Sequence, residues 1–363
     1  MYTKLRPLLH RLEAEQAHAL TLWLIKWAGA FPLTAAWLRS VFEVNDPRLE
    51  VEAFGLKFRN PVGLAAGYDK NGVAVKGLSC LGFGHVEVGT VTLRAQAGNP
   101  RPRIQRVLEA QALINSLGFP NRGVDALKLR RGMAGATKVG VNIGKGKDTP
   151  PERAAEDYCE LLRRVHMQAD YVALNVSSPN TPGLRKLQGR EFLESLLRAV
   201  VGVRDILTSR VPLLVKIAPD LMENEIDDVL MAVMDCGIDG VIATNTTLSR
   251  EGLPCYAETP GGLSGAPLRA RSTEVIRYIA QHTEGKLPII GVGGIASAED
   301  ALEKLRAGAR LVQAYTGLVY EGPGLAREIN RGLLQTCEVE SLKGVNELSL
   351  ERRVMPAKAG IQE

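Results

Sequence analysis

The stretch "PLLVKIAPDLMENEIDDVLMAVMDCGIDGVIATNT", residues 212–246, contains the structural unit that decides the fold. Its two ends, "PLLVKIA" and "GVIATNT", are short apolar runs with β-branched residues, which is typical of buried strands. The segment between them has a helical pattern, with a predicted cap at Asp220 and a stop at Gly237. A strand, a helix and a second strand in this order predict parallel strands in a sheet that is buried on both faces.

The same alternation extends over most of the chain. Another well-marked helix, "SAEDALEKLRAGA", begins with Ser297 and Asp300 in capping-box spacing and stops at Gly308. Eight strand–helix units over roughly 270 residues predict an α/β protein with a (β/α)8 TIM barrel. An open doubly wound sheet is the alternative, but the number of strands and the lack of an early GxGxxG motif disfavour it. The other predicted strands are "VGLAAG" (62–67), "HVEVGTV" (85–91), "KVGVNIG" (138–144), "YVALNVS" (171–177), "LPIIGVGGI" (287–295) and "LVQAYTG" (311–317).

The segments on both sides of the barrel differ from it in pattern. Residues 1–45 are predicted to form an N-terminal helical segment, and residues 46–336 the barrel domain. Within that domain, "VEAFGLKFRNP" (51–61) is predicted to form a small β-hairpin at the bottom of the barrel. Residues 337–363 have no convincing period, so we expect a flexible tail with at most a weak helix.

The N-terminal segment carries all three tryptophans, Trp23, Trp27 and Trp37. Its apolar stretch is long enough for a transmembrane helix, but Lys26 near the middle and Pro32 inside it predict two short amphipathic helices. Apolar and aromatic residues on one side with basic residues on the other are typical of helices that lie in the membrane interface. A helix pair that caps the main domain or forms a dimer interface is the alternative. Neither a secretory signal nor a cleaved transit peptide is expected.

The composition argues against several classes of protein. The 363-residue chain has 45% hydrophobic and 23% charged residues, as expected of a globular protein. Its net charge of +5 is mild, and no basic stripe is interleaved with aromatic residues, so we expect no nucleic-acid partner. The five cysteines are odd in number, far apart and without a CxxC pair, which predicts free thiols and no metal site.

Polar residues recur at the C-terminal ends of the predicted strands, where barrels of this kind build their active sites. Lys216, inside an apolar strand, could stabilise an anion that develops on an electron-rich ring. The glycine-rich runs "GVGGI" and "YTGLVYEGPG" at the seventh and eighth strand ends predict a phosphate cradle. "LNVSSPNTPGL" (174–184) has two serines but no histidine within seven residues on either side, so hydrolase chemistry is not expected. Four asparagines would suit a flat ligand rich in amide groups: Asn115, Asn175, Asn180 and Asn245.

These residues resemble the motifs of the dihydroorotate dehydrogenase family, in order and without a long gap over about residues 5 to 335. The serine in "NVSSPN" and the extra N-terminal segment are similar to the quinone-dependent, membrane-associated class, whereas the soluble classes typically use a cysteine. The matching motifs are "AAGYDKNG", "EVGTVT", "GNPRPR", "INSLGF", "VNIGK", "NVSSPNTPGLR", "VKIAPD", "IATNTT", "GGLSG", "IIGVGGI" and "AYTG".

The resemblance implies oxidation of (S)-dihydroorotate to orotate in de novo pyrimidine biosynthesis. FMN would be the hydride acceptor, and ubiquinone or menaquinone the final electron acceptor. The resemblance also implies a peripheral membrane protein on the cytoplasmic face of the bacterial inner membrane, attached through its N-terminal helices.

The resemblance assigns roles to residues by their position in the motifs. Ser178 would be the catalytic base beside Lys70, with Thr181 near Phe119 passing the proton outward. The quinone head group would face His18, Arg106 and Tyr315. The FMN would contact Ala66, Gly67, Lys70, Thr90, Asn142, Asn175, Lys216 and Thr244, with Gly265, Gly294, Tyr315 and Thr316 around its phosphate and tail. The substrate would contact Lys70, Asn115, Ser116, Leu117, Gly118, Phe119, Asn175, Asn180, Asn245 and Thr246.

Two positions depart from the family pattern. Ser116 stands where this class more often has arginine or a bulkier residue, and Tyr68 replaces a more usual leucine or phenylalanine. Neither matches a polar role, so the expected reaction is unchanged. Other FMN barrels are alternatives: a dihydropyrimidine dehydrogenase module would be expected to use cysteine, and a tRNA dihydrouridine synthase to have a basic face for RNA. The non-enzymatic alternative is an inactive flavoprotein that serves as a membrane scaffold.

Overall fold

Eight parallel strands close into a barrel in the computed structural model, which describes residues 2–349. Each strand pairs with the next one in chain order, and the eighth pairs with the first, so that Val312 lies opposite Val62. This arrangement confirms the predicted (β/α)8 barrel. The barrel strands, numbered 1 to 8 in chain order, are Val62–Leu64, His85–Val91, Lys138–Ile143, Tyr171–Asn175, Leu213–Ile217, Gly240–Ala243, Ile289–Val292 and Leu311–Ala314.

Three helices precede the barrel: α1 (Tyr2–Arg11), α2 (Ala14–Ala30) and α3 (Pro32–Phe42). The chain breaks between α2 and α3 at Phe31, directly before a proline that occupies the first helical position of α3. Among the described residues, no single helix is long and apolar enough to cross a membrane; α2 and α3 pass that test only as a pair, bent by 108°. The predicted break in this apolar stretch is therefore confirmed.

The outer layer of the barrel consists of eight further helices in the described chain. They are α4 (Val75–Ser79), α5 (Ala154–Val165), α6 (Arg190–Ile206), α7 (Glu223–Asp235), α8 (Arg269–His282), α9 (Ala298–Arg306), α10 (Thr316–Glu321) and α11 (Leu325–Val339). Helix α2 crosses α4 at very short range, since a Cβ on Gly77 would lie 2.0 Å from the carbonyl oxygen of Ile25. Glycine at this crossing therefore allows the N-terminal helices to lie directly on the barrel.

The connection between barrel strands 2 and 3 departs from the strand–helix alternation. It contains the strands Ile104–Val107 and Ala112–Asn115 in place of an α-helix. These two pair with Gly262–Gly265, from the loop after barrel strand 6, in a three-stranded antiparallel sheet. Asn115 lies opposite Gly262 in this sheet, which joins two loops at the same end of the barrel.

The barrel interior holds large rings at its lower end. His85 and Tyr171 are fully buried, and each lies over a glycine of a neighbouring strand. A Cβ on Gly63 would lie 2.1 Å from His85 Nε2, and a Cβ on Gly140 would lie 2.2 Å from Tyr171 Cζ. These glycines are therefore required by the close packing of the core.

A short antiparallel hairpin, Val51–Ala53 with Leu56–Phe58, lies at the N-terminal ends of the barrel strands. Its Phe58 ring packs edge to face on the His85 ring, with centroids 5.5 Å apart. A Cβ on Gly240, the first residue of barrel strand 6, would lie 2.4 Å from the Phe54 ring. The hairpin thus covers the bottom of the barrel, as the sequence predicts.

Two sequence predictions about segment ends are wrong. The expected flexible tail from Cys337 begins inside α11, and Val345 and Leu348 in the following 3-10 turn are buried against the barrel domain. The rest of the predicted tail, residues 350–363, lies outside the described residues. The cap predicted at Asp220 is also wrong, because α7 begins at Glu223 and its cap residue is Met222. The Asp220 carboxylate instead accepts hydrogen bonds from Leu248 N (3.1 Å) and the Thr247 hydroxyl.

Candidate active site

A cleft of about 990 Å³ lies at the C-terminal ends of the barrel strands. Residues that directly follow strands 1, 4, 6, 7 and 8 meet there, because parallel strands in a closed barrel all end at the same rim. The three-stranded sheet contributes Asn115 and Gly265 to the walls. The described histidines do not line this cleft.

Two adjacent serines at the end of barrel strand 4 have different surroundings. The Ser178 hydroxyl faces the cleft and accepts a hydrogen bond from Asn180 N at 3.3 Å. The Ser177 hydroxyl lies deeper, fully buried, and accepts from Asn245 Nδ2 at 2.9 Å. Close by in sequence, the buried Thr181 hydroxyl has no hydrogen-bond partner among the described residues. Of these three hydroxyls, only that of Ser178 belongs to a residue that lines the cleft.

Two lysines line the cleft from different strands, Lys216 buried and Lys70 partly buried. Lys70 follows barrel strand 1 and donates to the Gly67 carbonyl at 2.6 Å, while Lys216 projects from barrel strand 5. Burial lowers the pKa of Lys70 to about 8, with Glu15 opposing that shift. Burial also lowers the pKa of Lys216, and the Glu87 charge opposes it. Both side chains are placed to attract an anionic ligand or a developing negative charge.

Four asparagines form two pairs that face the cleft. Asn180 Nδ2 donates to Asn115 Oδ1 at 3.0 Å, which ties the serine loop to the three-stranded sheet. Asn245 Nδ2 donates to Asn175 Oδ1 at 3.2 Å, which ties the ends of strands 6 and 4. The cleft thus offers amide donors and acceptors on two sides, which suits a flat ring with amide groups of its own.

An arginine holds the serine loop to the neighbouring strand ends. Arg185 Nε donates to the Ser177 carbonyl at 3.0 Å, and its Nη2 donates to the Thr246 carbonyl at 2.9 Å. Its Nη1 forms an ion pair with Asp220 at 2.7 Å. The guanidinium therefore fixes the loops after barrel strands 4, 5 and 6 in one relative position.

The opposite end of the cleft is rich in glycine. Gly265, Gly293 and Gly294 line it with positive φ angles of 102°, 133° and 71°, which disfavour other residues there. Helix α10 begins at Thr316, whose hydroxyl lies 2.8 Å from the Ser264 hydroxyl. Backbone amides of glycine-rich loops and two hydroxyls are groups that bind phosphate.

A second cavity of about 1030 Å³ lies between the N-terminal helices and the barrel. Tyr315 lines both this cavity and the cleft, so the two share a wall. His18 and Arg106 also line the second cavity, and Arg106 Nη1 donates to the Leu12 carbonyl at 2.9 Å. Burial lowers the pKa of His18 to about 3, so its ring is neutral at physiological pH.

The dihydroorotate dehydrogenase family model matches residues 48–337, which include the whole barrel. The chain belongs to the dihydroorotate dehydrogenase family. It is 52% identical to a protein of Gloeobacter violaceus over 93% of this chain and 95% of that protein, and 48% identical to one of Roseiflexus sp. over 96% and 97%. Both relatives are named dihydroorotate dehydrogenase (quinone). Among solved structures, dihydroorotate dehydrogenase of Eimeria tenella in complex with ferulenol has a TM-score of 0.87 and 36% identity, covering 95% of this chain and 99% of that one.

Most site residues that the family resemblance predicts line one of the two cavities. His18, Arg106 and Tyr315 meet in the second cavity. Three other predicted residues, Asn142, Ser116 and Thr181, do not line the cleft. Asn142 Oδ1 accepts from Thr90 Oγ1 at 2.6 Å, and the Ser116 carbonyl accepts from Asn99. The Thr181 hydroxyl is buried. The predicted residues that line the cleft are Ala66, Gly67, Lys70, Thr90, Asn115, Leu117, Gly118, Phe119, Asn175, Ser178, Asn180, Lys216, Thr244, Asn245, Thr246, Gly265, Gly294, Tyr315 and Thr316.

Sequence reasoning missed several polar residues around this dihydroorotate dehydrogenase cleft. Ser264 and Gln313 line it, and Glu87 is fully buried directly below, where Gln313 Nε2 donates to it at 2.9 Å. The sequence could have indicated Glu87 and Gln313, because each is a polar residue within a largely apolar strand. Glu87 interrupts "HVEVGTV", and Gln313 interrupts "LVQAYTG". Arg185 is the last residue of the motif "NVSSPNTPGLR", but it was given no role because nothing local indicates its three partners.

Proposed function

We propose that this chain oxidises (S)-dihydroorotate to orotate in de novo pyrimidine biosynthesis, with FMN as cofactor and a respiratory quinone as final electron acceptor. The observation that carries the proposal is one cleft in which the Ser178 hydroxyl, two lysines and four asparagines meet without a histidine. The relatives' shared name supports it. A second cavity that shares Tyr315 with the cleft supports the quinone step.

The groups around the cleft fit FMN. The glycine-rich end offers backbone amides for a phosphate, and the barrel rim offers Thr90, Asn175 and Lys216 for a flat polar ring. When bound, FMN supplies a two-electron acceptor that can take a hydride from the substrate and later release the electrons to a quinone. We propose that the FMN is held by Ala66, Gly67, Lys70, Thr90, Asn142, Asn175, Lys216, Thr244, Gly265, Gly294, Tyr315 and Thr316.

Dihydroorotate would bind through its ring amides and its carboxylate. The amides of Asn115, Asn180 and Asn245 offer both donors and acceptors for the ring, and the Lys70 ammonium offers a charge for the carboxylate. Phe119, with a positive φ of 54°, places its ring among the residues that line the cleft. The full proposed substrate set is Lys70, Asn115, Ser116, Leu117, Gly118, Phe119, Asn175, Asn180, Asn245 and Thr246.

Ser178 would remove the proton from a ring carbon of the substrate. A serine hydroxyl is neutral at working pH, so it must pass its own proton on as it accepts the new one. The Thr181 hydroxyl, buried and without a partner among the described residues, is a group that could receive it. Lys70 and Lys216 favour the reaction by stabilising negative charge in the cleft.

The quinone would bind in the second cavity. Its lining is largely apolar, with Leu24, Ile25 and Leu318 among its walls, which suits an isoprenoid chain. Arg106 and the neutral His18 are polar groups that could contact the quinone oxygens near Tyr315. This arrangement keeps the quinone outside the cleft while its head group reaches the shared wall.

The N-terminal helices would attach the protein to the cytoplasmic face of the bacterial inner membrane. Trp23, Trp27 and Trp37 are 57%, 44% and 61% exposed, and Leu33 is 86% exposed. So much exposed aromatic and aliphatic surface on one pair of helices favours a lipid contact. The basic residues Lys26 and Arg39 of the same helices would face anionic lipid head groups.

The purified protein tests the reaction directly. We expect a flavin absorbance band at about 450 nm that bleaches with dihydroorotate and returns with ubiquinone, but not with fumarate or NAD. A flavin that bleaches but is reoxidised by fumarate or NAD would contradict the quinone assignment. The absence of flavin after purification and FMN titration would contradict the reaction itself.

Binding to vesicles tests the membrane proposal. Replacing Trp23, Trp27 and Trp37 by alanine should reduce sedimentation with vesicles of anionic phospholipid at least tenfold and leave bleaching by dihydroorotate unchanged. Phe192→Ala with Ile206→Ala is the matched control, because these exposed apolar residues lie on α6, away from the N-terminal helices. Equal sedimentation of the two variants would refute attachment through the tryptophans.

A further inference from the structure

A buried carboxylate lies under the proposed FMN and substrate site. Glu87, in barrel strand 2, is fully buried in the barrel interior. Three neutral side chains donate to it: Asn142 Nδ2 at 2.8 Å, Gln313 Nε2 at 2.9 Å and the Tyr171 hydroxyl at 3.1 Å. Beyond opposing the lowered pKa of Lys216, Glu87 has no part in the proposed reaction, and burying a carboxylate is costly unless hydrogen bonds satisfy it.

The carboxylate fixes which way Asn142 faces. A carboxylate only accepts hydrogen bonds, so the Asn142 amide must turn its Nδ2 toward Glu87. Its Oδ1 then faces the cleft side, where it accepts from Thr90 Oγ1 at 2.6 Å and from Asn175 Nδ2 at 3.2 Å. One buried charge therefore decides the orientation of an amide that belongs to the proposed FMN site.

The same order of hydrogen-bond donors and acceptors extends from Asn142 to the proposed substrate site. Because Asn175 turns its Nδ2 toward Asn142, its Oδ1 accepts from Asn245 Nδ2 at 3.2 Å. Asn245 Oδ1 in turn accepts a hydrogen bond from the backbone N of Thr246 at 2.8 Å. The backbone N of Ser177 donates to Asn175 Oδ1 at 3.3 Å, so an obligatory donor supports the same orientation from the other end. Each amide in the series has one orientation that satisfies all its neighbours.

We propose that Glu87 is a positioning residue that sets the donor and acceptor directions of Asn142, Asn175 and Asn245, and through them the recognition of the substrate ring. This inference rests on the proposed function, because the proposed function defines the ligand that those amides bind. Glu87 acts through its acceptor chemistry and not through its volume. Loss of the carboxylate allows Asn142 to turn its Nδ2 toward Asn175 Nδ2, which sets donor against donor and disturbs the orientation of Asn175 and, through it, of Asn245.

Two substitutions separate chemistry from shape. Glu87→Gln keeps the volume but adds a donor, whereas Glu87→Asp keeps the acceptor-only group and shortens the side chain. We expect Glu87→Gln to weaken orotate binding at least tenfold and Glu87→Asp to weaken it less, measured by the shift of the flavin absorbance spectrum on orotate titration. A packing role predicts the opposite order, and that order would overturn the proposal. FMN content and thermal melting of each variant are measured alongside.

Tyr171→Phe is the matched control. It removes a hydrogen bond from the same carboxylate, but Tyr171 donates to Oε2 whereas Asn142 donates to Oε1, so the amide series is left intact. Orotate affinity should stay within about twofold of the wild type. A loss as large as that of Glu87→Gln would show that Glu87 matters for the core and not for the amides, which refutes the proposal.

A double-mutant cycle tests whether the effect passes through Asn245. In an Asn245→Ala background, Glu87→Gln should weaken orotate binding by less than about threefold further, because the last amide is already absent. Full additivity of the two effects would contradict the proposal. If Glu87→Gln does not retain FMN, wild-type protein with ¹⁵N-labelled asparagine provides the test. One slowly exchanging pair of side-chain amide signals for Asn142 supports a single orientation of that amide. Two interconverting sets of signals refute it.

Failure of the proposed function is distinguishable from failure of this inference. Wild-type protein that binds neither FMN nor orotate, or does not bleach with dihydroorotate, contradicts the proposed function. Wild-type protein that bleaches and binds orotate, with variants that follow the packing order, contradicts the role of Glu87 alone.

Discussion

Tyr68 and Tyr315 meet edge to face, with ring centroids 5.9 Å apart, in the wall between the two cavities. On its other side Tyr68 packs edge to face on His18 of α2, at 4.8 Å between centroids. A row of three rings therefore connects the N-terminal helices to the cleft. The row forms only when α2 lies on the barrel, because His18 comes from a separate segment of the chain.

The Tyr68 ring is expected to hold Tyr315 in place for quinone turnover. Tyr68→Leu should slow reoxidation by a soluble ubiquinone analogue about tenfold, because both ring contacts are lost, and leave bleaching by dihydroorotate unchanged. Stopped-flow absorbance separates the two half-reactions. Tyr68→Phe is the matched control, since it keeps both ring contacts, and should behave as the wild type. A similar slowing of both half-reactions in Tyr68→Leu would contradict a role confined to the wall.

Ser178 is expected to be needed for bleaching but not for FMN binding. Ser178→Ala should retain FMN and slow flavin reduction by two or more orders of magnitude, because it removes the proposed base. Anaerobic single-turnover bleaching by dihydroorotate measures this rate. Reduction at the wild-type rate would refute the assignment. Reoxidation of the reduced variant by quinone should stay normal, which serves as the internal control.

Lys70 should give the pH profile of the reaction an alkaline limb, that is, a loss of activity at high pH. A lysine with a pKa of about 8 is charged below that pH and neutral above it, so the attraction for the substrate carboxylate is lost as pH rises through about 8. The KM for dihydroorotate should therefore rise roughly tenfold per pH unit above the limb. Arginine stays protonated throughout this range, so Lys70→Arg should remove the limb if FMN is retained. A limb that persists in Lys70→Arg belongs to another group.

Arg185 should affect both catalysis and substrate binding. Arg185→Ala releases the Ser177 and Thr246 carbonyls and leaves Asp220 without its ion-pair partner. We expect bleaching to slow about 10- to 100-fold and the KM for dihydroorotate to rise, because the loops on both sides of the substrate lose their common anchor. Arg198→Ala is the matched control, since Arg198 forms an exposed ion pair with Glu194 on α6. Wild-type kinetics in Arg185→Ala would exclude this positioning role.

Glu15 should make the docking of the N-terminal helices sensitive to acid. It forms an ion pair with the buried Arg103 at 2.7 Å, and hydrogen bonding from Arg103 lowers the pKa of Glu15. A carboxyl whose pKa is lower in the folded state contributes stability above its unfolded pKa, and that stability is lost as pH falls through the folded pKa. Hydrogen exchange of α1 to α3 should therefore rise as pH falls below the usual glutamate range, once corrected for intrinsic exchange.

Glu15→Gln should show that looser docking already at neutral pH. Loss of one partner of a mostly buried pair should cost about 1–3 kcal/mol of the free energy that docks the helices. Glu284→Gln is the matched control, because Glu284 forms an exposed ion pair with Lys286 elsewhere on the surface. Exchange in Glu15→Gln that still rises in acid as in the wild type would contradict the assignment.

The amino-acid sequence determined the architecture and most of the site. Each of the eight strand runs was recognisable because burial on both faces imposes a continuous apolar pattern within a few residues, as in "PLLVKIA" around Lys216. Ser178, Lys70, Asn175 and Asn245 could be expected at one cleft from motifs after the strands, because parallel strands of a barrel end at one rim. The break before Pro32 was also local information.

Only the tertiary structure decided which distant groups meet. Glu87 and Gln313 are 226 positions apart, yet they form a hydrogen bond because the barrel closes strand 8 onto strand 1, which lies beside strand 2. Glu15 and Arg103 are 88 positions apart and meet because α2 lies on the barrel. The cap misassigned to Asp220 has the same cause, since Arg185 and the loop after strand 6 engage that carboxylate. Local pattern fixes which residues form a strand or helix, but register and packing between elements fix the partners of each side chain.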